Sequence, residues 1–218
     1  MTNPQIPYHN ETKFLLAVDC IVLGFDGVKL FALLVKRKFK PMQNKWSLMG
    51  GFLKEDENLN EAASRIIDDL TGLKDLYLEQ LNTYSDIYRD TASRVVSVAY
   101  FALLNTKNFP LPISKEYLSE WFEIGNVPKL IFDHNHMLED TIKSIREKIL
   151  KYPIAFSLLP EKFSMSQLQN LYEAILEQSL DKRNFRKQII SSNIISKTIY
   201  KEKTSSKKGA YLYSFNKN

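Results

Sequence analysis

The chain has 218 residues, 44% hydrophobic and 25% charged, an ordinary globular composition long enough for one large domain or two small ones. It holds no apolar run of about eighteen residues and no basic-then-apolar leader, which argues against a membrane span or a signal peptide. The net charge of +5 is unevenly placed: from Lys182 onward lie ten of the thirty Lys and Arg residues and one of the twenty-five acids, a local charge of +9 against −4 for the rest. A basic end piece on a mildly acidic body suits a polyanionic partner. The single cysteine, Cys20, excludes an intrachain disulfide and sits in an apolar run as a core thiol would, which fits a reducing cytoplasm.

Residues 1–12 are polar. Phe14 to Leu23 and Lys29 to Lys36 are β-rich runs joined by Gly24-Phe25-Asp26-Gly27, a pattern that predicts a hairpin. The basic stretch Lys36-Arg37-Lys38-Phe39-Lys40 leads to a short strand, Trp46-Ser47-Leu48-Met49-Gly50-Gly51. From there Leu59, Ala62, Ala63, Ile66, Ile67 and Leu70 recur at helical spacing, with Gly72 placed as a C-terminal cap. Tyr77 to Tyr84 and Val95 to Leu104 read as strands, the second nearly continuously apolar and so central. The charged loop between them offers Arg89, Asp90 and Arg94 as ligand or interface residues, against the plainer reading of a solvated loop. A strand starts at Trp121-Phe122, and a helix is expected from about His136 to Leu150. His134 and His136 lack a matching Cys/His set, so they read as turn and cap residues, not metal ligands.

The stretch from Gly50 to Leu73 carries a recognisable frame. Laid against G-x5-E-x7-R-E-U-x-E-E-x-G-U, with U apolar, it keeps Gly51, Glu57, Arg65, Ile67, Gly72 and Leu73 in place. It resembles the box of the Nudix superfamily. Members that act as enzymes hold magnesium between carboxylates one helical turn apart, because Mg²⁺ takes hard oxygen ligands. Here Ile66 and Leu70 replace two of those glutamates and Asp69 shortens a third, so the row Ala62, Ile66, Leu70 is apolar. Glu57, Glu61 and Asp69 are the remaining weak metal candidates, and the plain reading of the acids is charge at a helix's first turn and on a solvated face. The expectation is a kept fold, lost catalysis, no metal and no cofactor.

Pro153 to Pro160 differs in composition from both flanks, and the boundary is placed there: a domain over 13–152 and a second over 153–218. Ser164-Met165-Ser166-Gln167 is a capping-box pattern opening a helix with Leu168, Leu171, Tyr172 and Ile175 on one face. Asp181 caps a short basic helix in which Phe185, Ile189 and Ile190 face a core while Lys182, Arg183, Arg186 and Lys187 face out. Two β-like runs, Ile194 to Tyr200 and Ala210 to Phe215, then flank a basic tip with Lys203, Lys207 and Lys208. This order predicts a winged helix. Its basic helix suits the major groove, with Arg183 and Asn184 reading bases and Lys182, Arg186 and Lys187 meeting phosphate. The tip lysines would add backbone or minor-groove contacts.

A damaged Nudix domain followed by a winged helix resembles a group of bacterial transcription regulators that includes ADP-ribose-sensing repressors of NAD metabolism and the arabinose-responsive AraR type. Trp46 to Phe52, Leu130 to His134 and Asp181 to Lys187 look close to the arabinose type. The resemblance implies an α/β Nudix fold, a mixed sheet sandwiched by helices, with a small winged helix-turn-helix domain behind it. It also implies a cytoplasmic homodimer, without membrane association, on a palindromic double-stranded operator. Its effector is expected to be a sugar, L-arabinose or a related pentose, because an apolar patch packs a sugar's C–H face. Asp19, Lys36, Arg37, Trp46, Gly51, Phe52, Arg89, Asp90 and Arg94 are the expected effector residues. The alternatives are an ADP-ribose-sensing repressor, a Mg²⁺-dependent pyrophosphohydrolase, and an RNA-binding or scaffold protein using the basic module.

Overall fold

The computed structural model describes residues 11–108, 118–149, 154–202 and 209–216. Strand β1 (Leu15–Phe25) lies along β6 (Val95–Asn105) in parallel over its whole length, and β5 (Leu78–Tyr84) covers the far edge of β6. The other edge of β1 is shared. Its first half, Ala17 to Cys20, pairs antiparallel with β4 (Met49–Phe52), and its last, Val22 to Phe25, with β2 (Leu30–Lys36). Beyond that crossing β2 takes β3 (Trp46–Ser47) and β7 (Ser119–Glu123) as partners. β1 therefore runs two residues further than the sequence suggested, and the turn is Asp26 to Lys29, held by Asp26 Oδ1 accepting from the Val28 and Lys29 amides at 2.8 Å.

The continuous apolar character of β1 and β6 follows from coverage on both faces. Val18, Cys20 and Val22 face Ala62, Ala63, Ile66 and Ile67 of helix α1 (Leu59–Thr71). Ile21, Leu23 and Phe25 face the side covered by Met137, Leu138, Ile142 and Ile145 of helix α2 (His134–Ile149). Helix α1 starts at a reciprocal capping box between Asn58 and Glu61 and stops at Gly72, whose φ of 75° is a left-handed conformation suited to glycine. Cys20 is fully buried, as a core thiol, and burial pushes its pKa far up.

The C-terminal unit consists of β8 (Phe163–Ser164), α3 (Met165–Leu176), α4 (Lys182–Ser191), β9 (Ile195–Glu202) and β10 (Ala210–Phe215), with sheet order β8-β10-β9. It has the expected winged helix topology, and both expected caps, Ser164 and Asp181, are in place. Two details differ. The two-residue β8 escaped a reading based on periodicity, and Ile190 is half exposed while Phe185 and Ile189 are the buried residues of α4.

The stretch where the domain boundary was placed contains a 3-10 turn, Ile154–Leu158, and Leu158 is fully buried. Its apolar side chains join the α2-side core to that of the winged helix, giving one continuous cluster. Polar bonds cross the same seam. The Tyr172 hydroxyl donates to the Ile149 carbonyl at 3.0 Å, and Arg146 donates to the Ile175 carbonyl at 2.7 Å while pairing with Glu177 at 2.7 Å. No helix among the described residues is long and apolar enough to cross a membrane.

Candidate functional site

The change of partner along β1 opens the sheet. Between β2, β4 and the start of α2 lies a cleft of about 240 Å³. Its floor is a buried polar cluster. Asp19, on the α2-facing row of β1, accepts from Ser97 Oγ at 2.6 Å and from Arg89 Nη2 at 3.3 Å. Arg89 also clasps Asp133, Nε to Oδ2 at 2.9 Å and Nη2 to Oδ1 at 2.8 Å. The next residue, His134, accepts the Leu48 amide on Nδ1 at 3.1 Å, with Ser47 Oγ 3.3 Å from the same nitrogen. That donor leaves the ring proton on Nε2, 3.6 Å from Asp19 Oδ1. Burial lowers the His134 pKa against the pull of Asp19 and Asp133, so the ring is neutral. Gly50 completes the floor: a Cβ there would sit 2.3 Å from Asp19 Oδ1, a close approach that only glycine permits.

Arg37 forms one wall. Its Nε donates to the Pro41 carbonyl at 2.7 Å, and its guanidinium lies 4.2 Å from the Phe39 ring and 5.8 Å from that of Phe132. Burial lowers the Arg37 pKa while Asp90 and Asp19 oppose the shift. Its terminal nitrogens have no hydrogen-bond partner among the described residues, so they remain available to an anion.

Seven of the expected effector residues line this cleft: Asp19, Lys36, Arg37, Gly51, Phe52, Arg89 and Asp90. Asp19 and Arg89 are committed to each other, and Arg89 also to Asp133, so they shape the floor. Two expected residues lie elsewhere. Trp46 packs edge-on against Phe122 at 4.9 Å, where its large apolar ring fills the core side of β3. Arg94 donates to the Ser85 and Asp86 carbonyls at 3.0 Å and stacks on Phe14 at 5.2 Å, bracing its own loop. The sequence reading missed Phe39, Phe132 and His134. Only the left-handed φ of 50° at Phe132 marks that residue locally, and a sequence does not display it.

The box residues are occupied by structural work. Glu57 takes two bonds from Arg65, at 2.7 and 2.6 Å, and one from the Lys54 amide at 3.0 Å. Glu61 caps α1 by accepting the Asn58 amide at 2.8 Å. Asp69 is exposed, 3.5 Å from Arg65. Ile66 packs directly behind Gly51, and Leu70 lines the cleft. This donor set does not fit Mg²⁺: its apolar members stand where oxygen ligands would be needed. No three His, Cys, Asp or Glu side chains among the described residues gather as metal ligands would.

The Arg65 guanidinium holds the Glu57 pKa down at about 2. A carboxyl lowered on folding stabilises above its ordinary range and loses that contribution as pH falls through the folded value. The stability advantage of wild type over E57Q is therefore expected to shrink as pH falls from the usual carboxylate range towards 2. Thermal melts across that window check it, and an advantage that does not change with pH would contradict it.

At the other end of the molecule, Lys182, Arg183, Asn184, Arg186 and Lys187 are all exposed on α4. Arg186 Nη2 also donates to the Tyr213 hydroxyl at 3.2 Å, tying α4 to β10. Lys203, Lys207 and Lys208 lie outside the described residues.

A ligand cleft of this construction, in a mixed sheet between helices and backed by a basic winged helix, defines a DNA-binding regulator of the Nudix type. Sequence profiles agree: the NUDIX domain matches residues 13–141 and the NrtR DNA-binding winged helix domain residues 155–215. The chain is 35% identical over 205 residues to the ADPR responsive transcriptional repressor NtrR of Acinetobacter baylyi, covering 92% of this chain and 82% of that one. It superposes on Shewanella oneidensis NrtR complexed with a 27mer DNA with a TM-score of 0.82 at 27% identity, covering 92% and 93% of the two chains. The NUDIX domain of that protein complexed with ADP ribose matches with a TM-score of 0.56 at 28% identity, covering 62% of this chain and 90% of that one. The chain belongs to the NrtR family of Nudix-domain DNA-binding transcription regulators.

Proposed function

We propose that this protein is an ADP-ribose-responsive repressor, a cytoplasmic homodimer on a palindromic operator, that senses its effector without hydrolysing it. The observation that carries the reading is the placement of α2. Asp133 and His134 stand at its start in the cleft floor, while Arg146 and Ile149 near its end are bonded to α3 of the winged helix. Sixteen residues of helix span about 24 Å. A ligand that moves the cleft floor thus acts on the DNA-binding unit through one rigid element. The division into 13–152 and 153–218 assigns sensing to the first part and DNA to the second.

The effector follows from charge and from kinship. A pyrophosphate needs cationic neutralisation, and the free terminal nitrogens of Arg37, beside Lys36, supply it. The named relatives respond to, or were found with, ADP-ribose, and none supports the pentose expected from the sequence. Sensing without turnover rests on the lack of an oxygen cage around α1. On the DNA side we assign base reading to Arg183 and Asn184 and phosphate contacts to Lys182, Arg186 and Lys187.

An effector changes DNA affinity only by binding the competent and incompetent states unequally, and coupling of about 1–3 kcal/mol is typical. The test combines thermal melts with operator binding, using ADP-ribose with and without Mg²⁺ and L-arabinose. ADP-ribose at about 100 times its dissociation constant should add about 2.7 kcal/mol of stability and weaken operator binding. A response to arabinose alone would restore the sugar reading. Release of AMP on adding Mg²⁺ would overturn sensing without turnover.

A further inference from the structure

A second cavity of about 510 Å³ has Phe132 and Arg89 among its lining residues in common with the cleft. Its lining is cationic and apolar, with Lys45 and Lys129 at the rim and no carboxylate. Neither lysine has an ion pair or side-chain hydrogen bond among the described residues, in a body whose charge up to residue 181 is −4. Tyr88 and Met42 offer flat or pliant apolar surface and are 86% and 40% exposed.

The two spaces are tied together. The Arg37 amide donates to the Lys45 carbonyl at 2.9 Å, and the Asn44 amide to the Arg37 carbonyl at 2.8 Å. One tight loop therefore carries a cation into each compartment. Met42 and Phe132, which line the second cavity, have left-handed φ of 62° and 50°. Strain of this kind in residues other than glycine concentrates at ligand sites.

Size then decides between one compartment and two. Sites for drug-sized ligands run about 300–1,000 Å³, and the cleft alone falls short of that range at about 240 Å³. We propose that the second cavity is the other half of the effector site: it takes the nucleoside monophosphate end of a dinucleotide-like effector, while the cleft takes the ribose phosphate end. Lys45 and Lys129 neutralise phosphate, and Tyr88, Met42 and Phe132 pack the base. This assignment rests on the ADP-ribose reading above.

Titration calorimetry of the full chain with ADP-ribose, AMP and ribose 5-phosphate tests it. In the Lys45→Ala, Lys129→Ala double variant, AMP and ADP-ribose should each weaken by at least about tenfold, the scale of losing charge-assisted contacts. Ribose 5-phosphate should be unchanged there and should instead weaken in Arg37→Ala. Both lysines are exposed, so folding is not at stake. ADP-ribose binding equally to wild type and the double variant overturns the second compartment and leaves the repressor reading intact. If ADP-ribose does not bind wild type, the repressor reading falls, and AMP alone then judges the cavity. AMP lost in the double variant supports it; AMP unaffected, or not bound by wild type, overturns it.

Discussion

Arg89→Ala is expected to destabilise the protein by about 3–5 kcal/mol, the cost of stripping the partner from a buried charge. That is a large share of the roughly 5–15 kcal/mol by which a domain is stable. The Arg89 side chain is 3% exposed and supplies three contacts, two to Asp133 and one to Asp19. Asp19 would keep Ser97 and the neutral His134, neither of which carries a compensating charge. Urea unfolding of wild type and variant measures the deficit directly. A deficit under about 1 kcal/mol would mean that the ion cluster does not organise the cleft floor.

The same cluster marks the limit of what the sequence makes legible. Strands, helices and caps are written locally, in alternation, in apolar spacing and in pairs such as Ser164 with Gln167, and these elements were readable. Arg89 meets Asp19 and Asp133 across 70 and 44 residues, a closure that depends on sheet register. His134 looked like a turn residue because no neighbour in sequence gives it a partner; Leu48, Ser47 and Asp19 reach it only through the fold. Trp46 misled for the opposite reason. Its place in a short strand beside the double glycine suggested a cleft wall, yet its ring turns to Phe122 and the core. Arg94 likewise lay in the expected loop but spends its donors on backbone carbonyls. Glu57 and Arg65 were in frame, and geometry alone reveals that they bind each other.

On DNA, Arg183→Ala is expected to cost about 1–3 kcal/mol per half-site and to relax preference at one base position. In the dimeric complex proposed above each substitution enters twice, which raises the loss to about 2–6 kcal/mol on a full palindrome. Lys187→Ala should instead weaken all sequences alike and reduce the salt slope by about one per half-site. The structure makes the comparison clean. α4 is anchored by Phe185 and Ile189, and its N-terminus by Asp181 Oδ1 accepting the Asn184 amide at 2.8 Å, so neither exposed side chain holds the helix in place. Arg186 is the poorer probe because its bond to Tyr213 gives it a second task. Fluorescence anisotropy with a full palindrome, a single half-site and a scrambled duplex across a salt series separates the roles. A uniform loss for Arg183→Ala would move it to the phosphate contacts. Equal losses on full and half sites would remove the dimer.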